Sequence, residues 1–257
     1  MDSSWIIGKR GRRGGCIVTL VATLALCVPG HAQTTPPASN ASTTQPGPVK
    51  KFTLDFLGDQ HAIWRSPFHP SRHTLLTRML PLAAGTALLL AYDTKMSNGL
   101  PNTPDQIRIS NGISYAGAAY TLSAVVAAPI IAGSINHKSA PVEIGRSAAL
   151  ALADSIAVNV AMKYMFLRKR PDESNGAGPF FSGGDSFPSG HAMLSWAACT
   201  ALAQNRRSPK WLKIASYTAA TAISLARITA RRHFPSDVFV GGVLGYWIGS
   251  YSIVVPR

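Results

Sequence analysis

The stretch VFVGGVLGYWIGSYSIVV, residues 238–255, decides how this chain folds. It approaches the roughly 20 apolar residues that a helix needs to cross a bilayer, and it is too long for an ordinary strand. Gly241, Gly245 and Gly249 recur every four residues, which lays a groove of small residues along one helix face for close contact with a neighbour. A soluble bundle could use the same groove, so this stretch by itself reads as helix and leaves the membrane open.

Moving toward the N-terminus, similar Ala- and Leu-rich stretches fall at about 79–92, 113–133, 147–165, 192–203 and 212–226. Together they predict an all-α fold: a helical bundle of about six core helices, embedded in a membrane, occupying residues 79–257. The chain of 257 residues shows no internal repeat, so one bundle domain is the expectation.

The N-terminal third is different. Lys9, Arg10, Arg12 and Arg13 precede an apolar run from Cys16 to Val28, and Gly30-His31-Ala32 forms a small-x-small cleavage site. Residues 1–32 therefore read as a secretion signal or, if uncut, an anchor. Residues 33–50, QTTPPASNASTTQPGPVK, have too little apolar surface to order themselves and read as a flexible tether. Residues 51–78 are an amphipathic segment lying along the membrane or the bundle. Cys16 and Cys27 fall inside the leader, which leaves Cys199, in an apolar run, as a small buried residue.

The net charge of +14 suits an anionic partner. No stripe of basic residues with interleaved aromatics and no nucleic-acid-binding motif is present, so phosphorylated small molecules or anionic lipid fit better than DNA or RNA. Nothing in the sequence implies a protein partner.

Topology raises a conflict. Arg206, Arg207, Lys210 and Lys213 crowd one short connection, which the positive-inside rule places in the cytoplasm, so that the loops at the other end face outward. A cleaved leader would also leave residue 33 outside, and six crossings from there would turn those loops inward. The 14 residues of 79–92 form the weakest span. An inner-membrane protein with an outward, periplasmic site is the favoured reading, and a soluble exported protein is the alternative.

Three polar clusters interrupt the apolar helices. In the first, Lys163 and Arg170 lie seven residues apart, two turns along one face of a continuing helix, with Pro171 ending the run. They can grip one anion, or else snorkel beside Arg168 and Lys169. The second, Pro188-Ser189-Gly190-His191, opens a helix. Ser189 can cap it, its free N–H groups can bind phosphate, Gly190 admits close approach, and His191 sits on the first turn. In the third, Asp237 follows His233 by one helical turn and can hold the imidazole N–H, leaving the other nitrogen as a nucleophile. Arg227 adds a bidentate phosphate donor. A capped helix with a surface histidine, and a surface His-Asp pair, are the ordinary readings of the last two clusters taken singly.

The order Lys-x6-Arg-Pro, Pro-Ser-Gly-His, Arg-x5-His-x3-Asp matches ten specified residues. It resembles the three-part signature of the type 2 phosphatidic acid phosphatase and vanadium haloperoxidase superfamily, over about residues 110–255. Ala226 stands where the family usually has serine, which removes no charged or proton-bearing group. The resemblance implies that His233 attacks phosphorus to form a phosphohistidine, that Asp237 orients it, and that His191 protonates the leaving oxygen and then activates water. It also implies that Lys163, Arg170, Arg227, Ser189 and Gly190 hold the phosphate, with no metal or other cofactor. The implied activity is hydrolysis of a phosphomonoester or pyrophosphate, of a lipid if the bundle is in a membrane. The alternatives are a soluble non-specific acid phosphatase, a phosphotransferase, or a haloperoxidase, the last disfavoured because such chains are generally larger.

Overall fold

Residues 47–254 are described by the structure, a computed structural model. The leader at 1–32 and the tether as far as residue 46 lie outside the described residues. Helix α1 (Pro48–Arg65) already begins within the expected tether and packs on α5, where Gln60 Nε2 donates to Asp154 Oδ1 at 2.9 Å. The amphipathic segment thus lies along the bundle.

The helices that follow are α2 (Arg72–Gly99), α3 (Pro104–Tyr115), α4 (Ala119–Ile135), α5 (Ser139–Phe166), α6 (Gly190–Gln204), α7 (Lys210–Thr229) and α8 (Pro235–Val254). No strand occurs among the described residues, and the all-α bundle is as expected. Two local expectations are corrected. The 14-residue run at 79–92 belongs to a helix of 28 residues. Its π-turn at Leu75–Met79 and its polar C-terminal residues extend it past the apolar run on both sides. The 113–133 stretch is broken between Tyr115 and Ala119, where Thr121 Oγ1 donates to the Tyr115 carbonyl.

Three helical segments, Arg72–Gly99, Pro104–Ile135 and Ser139–Glu173, are long and apolar enough to cross a membrane. Large apolar side chains such as Leu88, Ile109, Ile131 and Ile135 are exposed on them, as lipid-facing surface requires. The protein is a membrane-embedded bundle.

The glycine groove does what its spacing predicts. A Cβ at Gly241 would stand 2.6 Å from the Ser189 carbonyl, and Cβ atoms at Gly245 and Gly249 would meet the carbonyls of Met193 and Ala197. Helix α8 therefore lies directly on the backbone of α6. The contact layer of α6 is itself small, with Ala192, Ala197, Ala198 and Ala201 buried around Met193 beside Val126, Ala148 and Ala151. Cys199 is a buried free thiol in this helix. Because α6 and α8 both start at the same end of the bundle, their close approach brings the second and third clusters together.

Candidate active site

Backbone geometry assembles the site at the end of the bundle where α5 stops and α6 and α8 start. Helix α5 ends at Phe166, and Leu167 takes a left-handed conformation. Residues 167–170 then run beside 179–186, with Lys169 N donating to the Pro179 carbonyl and Ser186 N to the Arg168 carbonyl. Lys163 and Arg170 are therefore not two turns apart on one helix, because the chain unwinds before Pro171. They still converge. Arg170 grips the Asp185 carboxylate through Nε and Nη2 at 2.7 and 3.0 Å, and Lys163 Nζ donates to the Asp185 carbonyl.

Ser189 holds the N-cap position of α6, but its hydroxyl makes no cap bond. That hydroxyl and Arg227 Nε are buried and have no hydrogen-bond partner. An orphaned buried donor is costly, and two of them beside a cationic cluster suit an anion that brings its own acceptors. Asn159 Nδ2 donates to the Pro188 carbonyl at 3.2 Å and ties α5 to the same turn.

His233 is buried just ahead of Pro235, the first residue of α8. The expected direct His233–Asp237 hydrogen bond is corrected: Nδ1 stands 3.8 Å from Asp237 Oδ2 and 2.8 Å from the Ser186 carbonyl. The reason is that the Asp237 carboxylate is already occupied. It accepts from Ser186 Oγ at 2.5 Å, Phe234 N at 2.9 Å and Arg168 Nη1 at 2.6 Å. A carbonyl only accepts, so Nδ1 carries the proton and Nε2 keeps its lone pair. Asp237 acts on the histidine through Ser186, which it bonds by the hydroxyl while Ser186 meets His233 by the carbonyl.

Arg168 is buried rather than snorkelling. Its guanidinium bonds Asp237, Asp93 Oδ2 at 2.8 Å, Ser236 Oγ at 2.8 Å and the Gly178 carbonyl at 3.0 Å. It also lies over the rings of Phe234 and Phe180 at 4.1 and 4.7 Å. Gly178, at φ +56, lets the loop approach so closely that a Cβ there would strike the Phe234 ring. Phe180 packs on Phe166 and Phe187, while Phe181 is exposed.

The charges interact strongly. Burial pushes the Asp185 carboxyl up, but its bonds to Arg170 outweigh this and hold it down at about 2. His191, on the first turn of α6 and outside the three spans, is pushed down to about 3 by burial and then by Arg227, Arg170 and Lys163. Burial, followed by the same cations, holds His233 well below its ordinary value. His191 and His233 are thus both held toward the neutral form by burial and by the neighbouring cations.

Sequence reading missed Arg168 as a working group, along with Asp93, Asp185 and Ser186. Asp93 carried a usable signal, being an ionisable residue in an apolar helix, which within a membrane marks a functional position.

A bundle of apolar helices whose end gathers two histidines, three cations and unpartnered buried donors defines a membrane protein with a cationic, histidine-bearing site. The family model of the PAP2 superfamily matches residues 145–257. It is 29% identical over 246 residues to a lipid A 1-phosphatase of Porphyromonas gingivalis, covering 89% of this chain and 49% of that protein. It is 39% identical over 71 residues to an undecaprenyl-diphosphatase of Sulfolobus acidocaldarius, covering 27% of this chain and 33% of the relative. The chain spans about half the length of the first relative and a third of the second. The crystal structure of a transmembrane PAP2-type phosphatidylglycerolphosphate phosphatase from Bacillus subtilis shares the fold. Its TM-score is 0.51 at 19% identity, over 79% of this chain and 92% of that one.

Proposed function

We propose that the chain is a phosphatase that removes phosphate from a phosphomonoester or pyrophosphate of a membrane lipid, through a phosphohistidine on His233, at the outer side of the membrane. The observation that carries this reading is the His233 tautomer: Nδ1 is held by the Ser186 carbonyl at 2.8 Å, which frees Nε2 for attack.

In the first step Nε2 forms an N–P bond as the bond from phosphorus to the leaving oxygen breaks, and His191 gives that oxygen its proton. In the second, water forms the new O–P bond, the N–P bond breaks, and His191 takes the proton from the water. Lys163, Arg170 and Arg227, with the Ser189 hydroxyl and the Gly190 N–H, stabilise charge on the non-bridging oxygens. Burial and then Arg227, Arg170 and Lys163 keep His191 neutral, and a bound dianion offsets the repulsion from these cations, so substrate itself helps to arm the proton donor. The names of the two relatives, with the exposed apolar helices, support a phosphate or diphosphate on a lipid anchor.

The test assays phosphate release by the detergent-solubilised protein on lipid phosphates and on water-soluble monoesters, after a carbonate wash of the membranes. His233→Ala and His191→Ala are expected to abolish release while remaining in the membrane fraction. Undiminished turnover in either variant would sink the assignment, and equal rates on every soluble monoester would remove the lipid preference.

A further inference from the structure

The family match begins at residue 145, yet one carboxylate in the polar interior of the site comes from α2, far upstream. Asp93 is 1% exposed on a helix whose most apolar stretch is otherwise unburied within the bundle. It bonds Arg168 Nη2 at 2.8 Å, and it also accepts from Ser236 N at 3.0 Å and from Ser236 Oγ. Arg168 in turn holds Asp237 Oδ1, and Asp237 Oδ2 holds the Ser186 hydroxyl. We propose that Asp93 is a positioning residue for the nucleophile, acting through Arg168, Asp237 and Ser186, so that α2 supports a nucleophile it does not itself contact. This deepens the proposed phosphatase reading and rests on it.

The physical case is one of fixed geometry. Arg168 is a single planar cation shared by two buried carboxylates, and Asp93 is the one of the two that holds its Nη2. With Asp93 gone, the guanidinium can turn toward Asp237 alone. Asp237 then shifts against Ser186, whose carbonyl fixes the His233 ring. The phosphate cradle of Lys163, Arg170 and Arg227 makes no bond to Asp93, so binding and chemistry should separate. The rest of α2 is arranged to deliver this carboxylate. Gly85 packs against the Phe239 ring, Gly176 of the loop lies against Asn98, and Arg231 bonds the Leu100 carbonyl at 3.1 Å.

The experiment compares kcat and KM of the full-length, detergent-solubilised protein with those of Asp93→Asn and Ser97→Ala, the latter a buried position on the same helix outside the site. Asp93→Asn is expected to lower kcat by about tenfold or more, the scale typical of groups that orient a reacting ligand from behind. KM should stay within about twofold, and Asp93→Glu should recover part of kcat because it restores the charge. Ser97→Ala should match wild type. If wild type releases no phosphate, the proposed function fails. If wild type is active and Asp93→Asn keeps its kcat, or loses only KM, the positioning role fails. Should Asp93→Asn not accumulate in membranes, Ser236→Ala decides instead, since it removes the hydroxyl between Asp93 and Arg168 but leaves both charges. A fall in kcat at constant KM supports the role, and an unchanged kcat overturns it.

Discussion

Ser189 shows how far a residue type can be read and where the reading stops. In the sequence it is a helix cap, and in the fold it holds the cap position with its hydroxyl turned to no partner. Ser189→Ala should therefore leave thermal stability unchanged or slightly raised, while raising KM by roughly tenfold or more, the worth of a hydrogen bond to a charged group. Melting curves and steady-state kinetics on one preparation check both halves. The proton balance gives a second residue-scale prediction. His191 is held neutral by burial and the neighbouring cations, and a dianion would raise its proton affinity, so the complex binds more protons than the free protein and affinity must rise as pH falls. Sulfate stays dianionic from pH 8 to 5. Its affinity should increase by up to about tenfold per pH unit over part of this range, with proton uptake registered by calorimetry in buffers of different ionisation heat. His191→Gln should bind with a shallower profile. The eight residues expected at the site stand out in the sequence because their types and spacing carry chemistry. Arg168 was visible but ambiguous, since a cation next to an apolar helix can equally well snorkel. Asp185 and Ser186 were hidden for another reason: they act through loop geometry that no local pattern encodes.

At the level of elements, the sequence spoke most clearly through period and least clearly through length. The four-residue glycine period correctly announced the close contact of α8 with α6. The apolar run 79–92 looked too short because polar residues at the end of α2, Asp93 and Ser97 among them, were read as lying outside a helix that in fact buries them. Packing can be tested without touching the chemistry. Gly245→Ala would press a methyl group into the Met193 carbonyl, and overpacking of this kind costs about 1–3 kcal/mol. It should lower the unfolding temperature in detergent and also lower kcat, because α6 carries His191 and α8 carries Asp237. Gly112→Ala on α3 meets no atom within 4 Å. It should be neutral or stabilising by up to about 1 kcal/mol, since alanine restricts the unfolded chain. If Gly245→Ala proved as harmless as Gly112→Ala, the groove would not be what brings the two clusters together.

Across the whole molecule the helices alternate between two ends. Helix α2 finishes at the site, where Asp93 meets Arg168 and Arg231 meets the Leu100 carbonyl, and α3 begins there, with Gln106 bonded to the Thr229 carbonyl at 2.9 Å. The start of α5 and the end of α6 meet at the opposite end, where Arg207 pairs with Glu143 at 2.9 Å. A bare count of Lys and Arg does not choose the cytoplasmic end, because both ends carry them. What differs is their commitment: Arg168, Arg170 and Arg232 at the site are each engaged by a carboxylate, whereas Arg206 and Lys210 are exposed at the far end, where they can meet anionic headgroups. An outward site then puts the start of α2, roughly 42 Å back along the helix at 1.5 Å per residue, on the cytoplasmic side. Since α2 is long enough to cross, an outward site and a cleaved leader cannot both hold. Single cysteines in a background with Cys16, Cys27 and Cys199 replaced by alanine test this directly. With an impermeant thiol reagent on intact cells, Phe181→Cys should label at once, while Arg206→Cys and His69→Cys should label only after the membrane is opened. The opposite pattern would place the site in the cytoplasm, and labelling of both Phe181→Cys and His69→Cys from outside would mean that α2 does not cross.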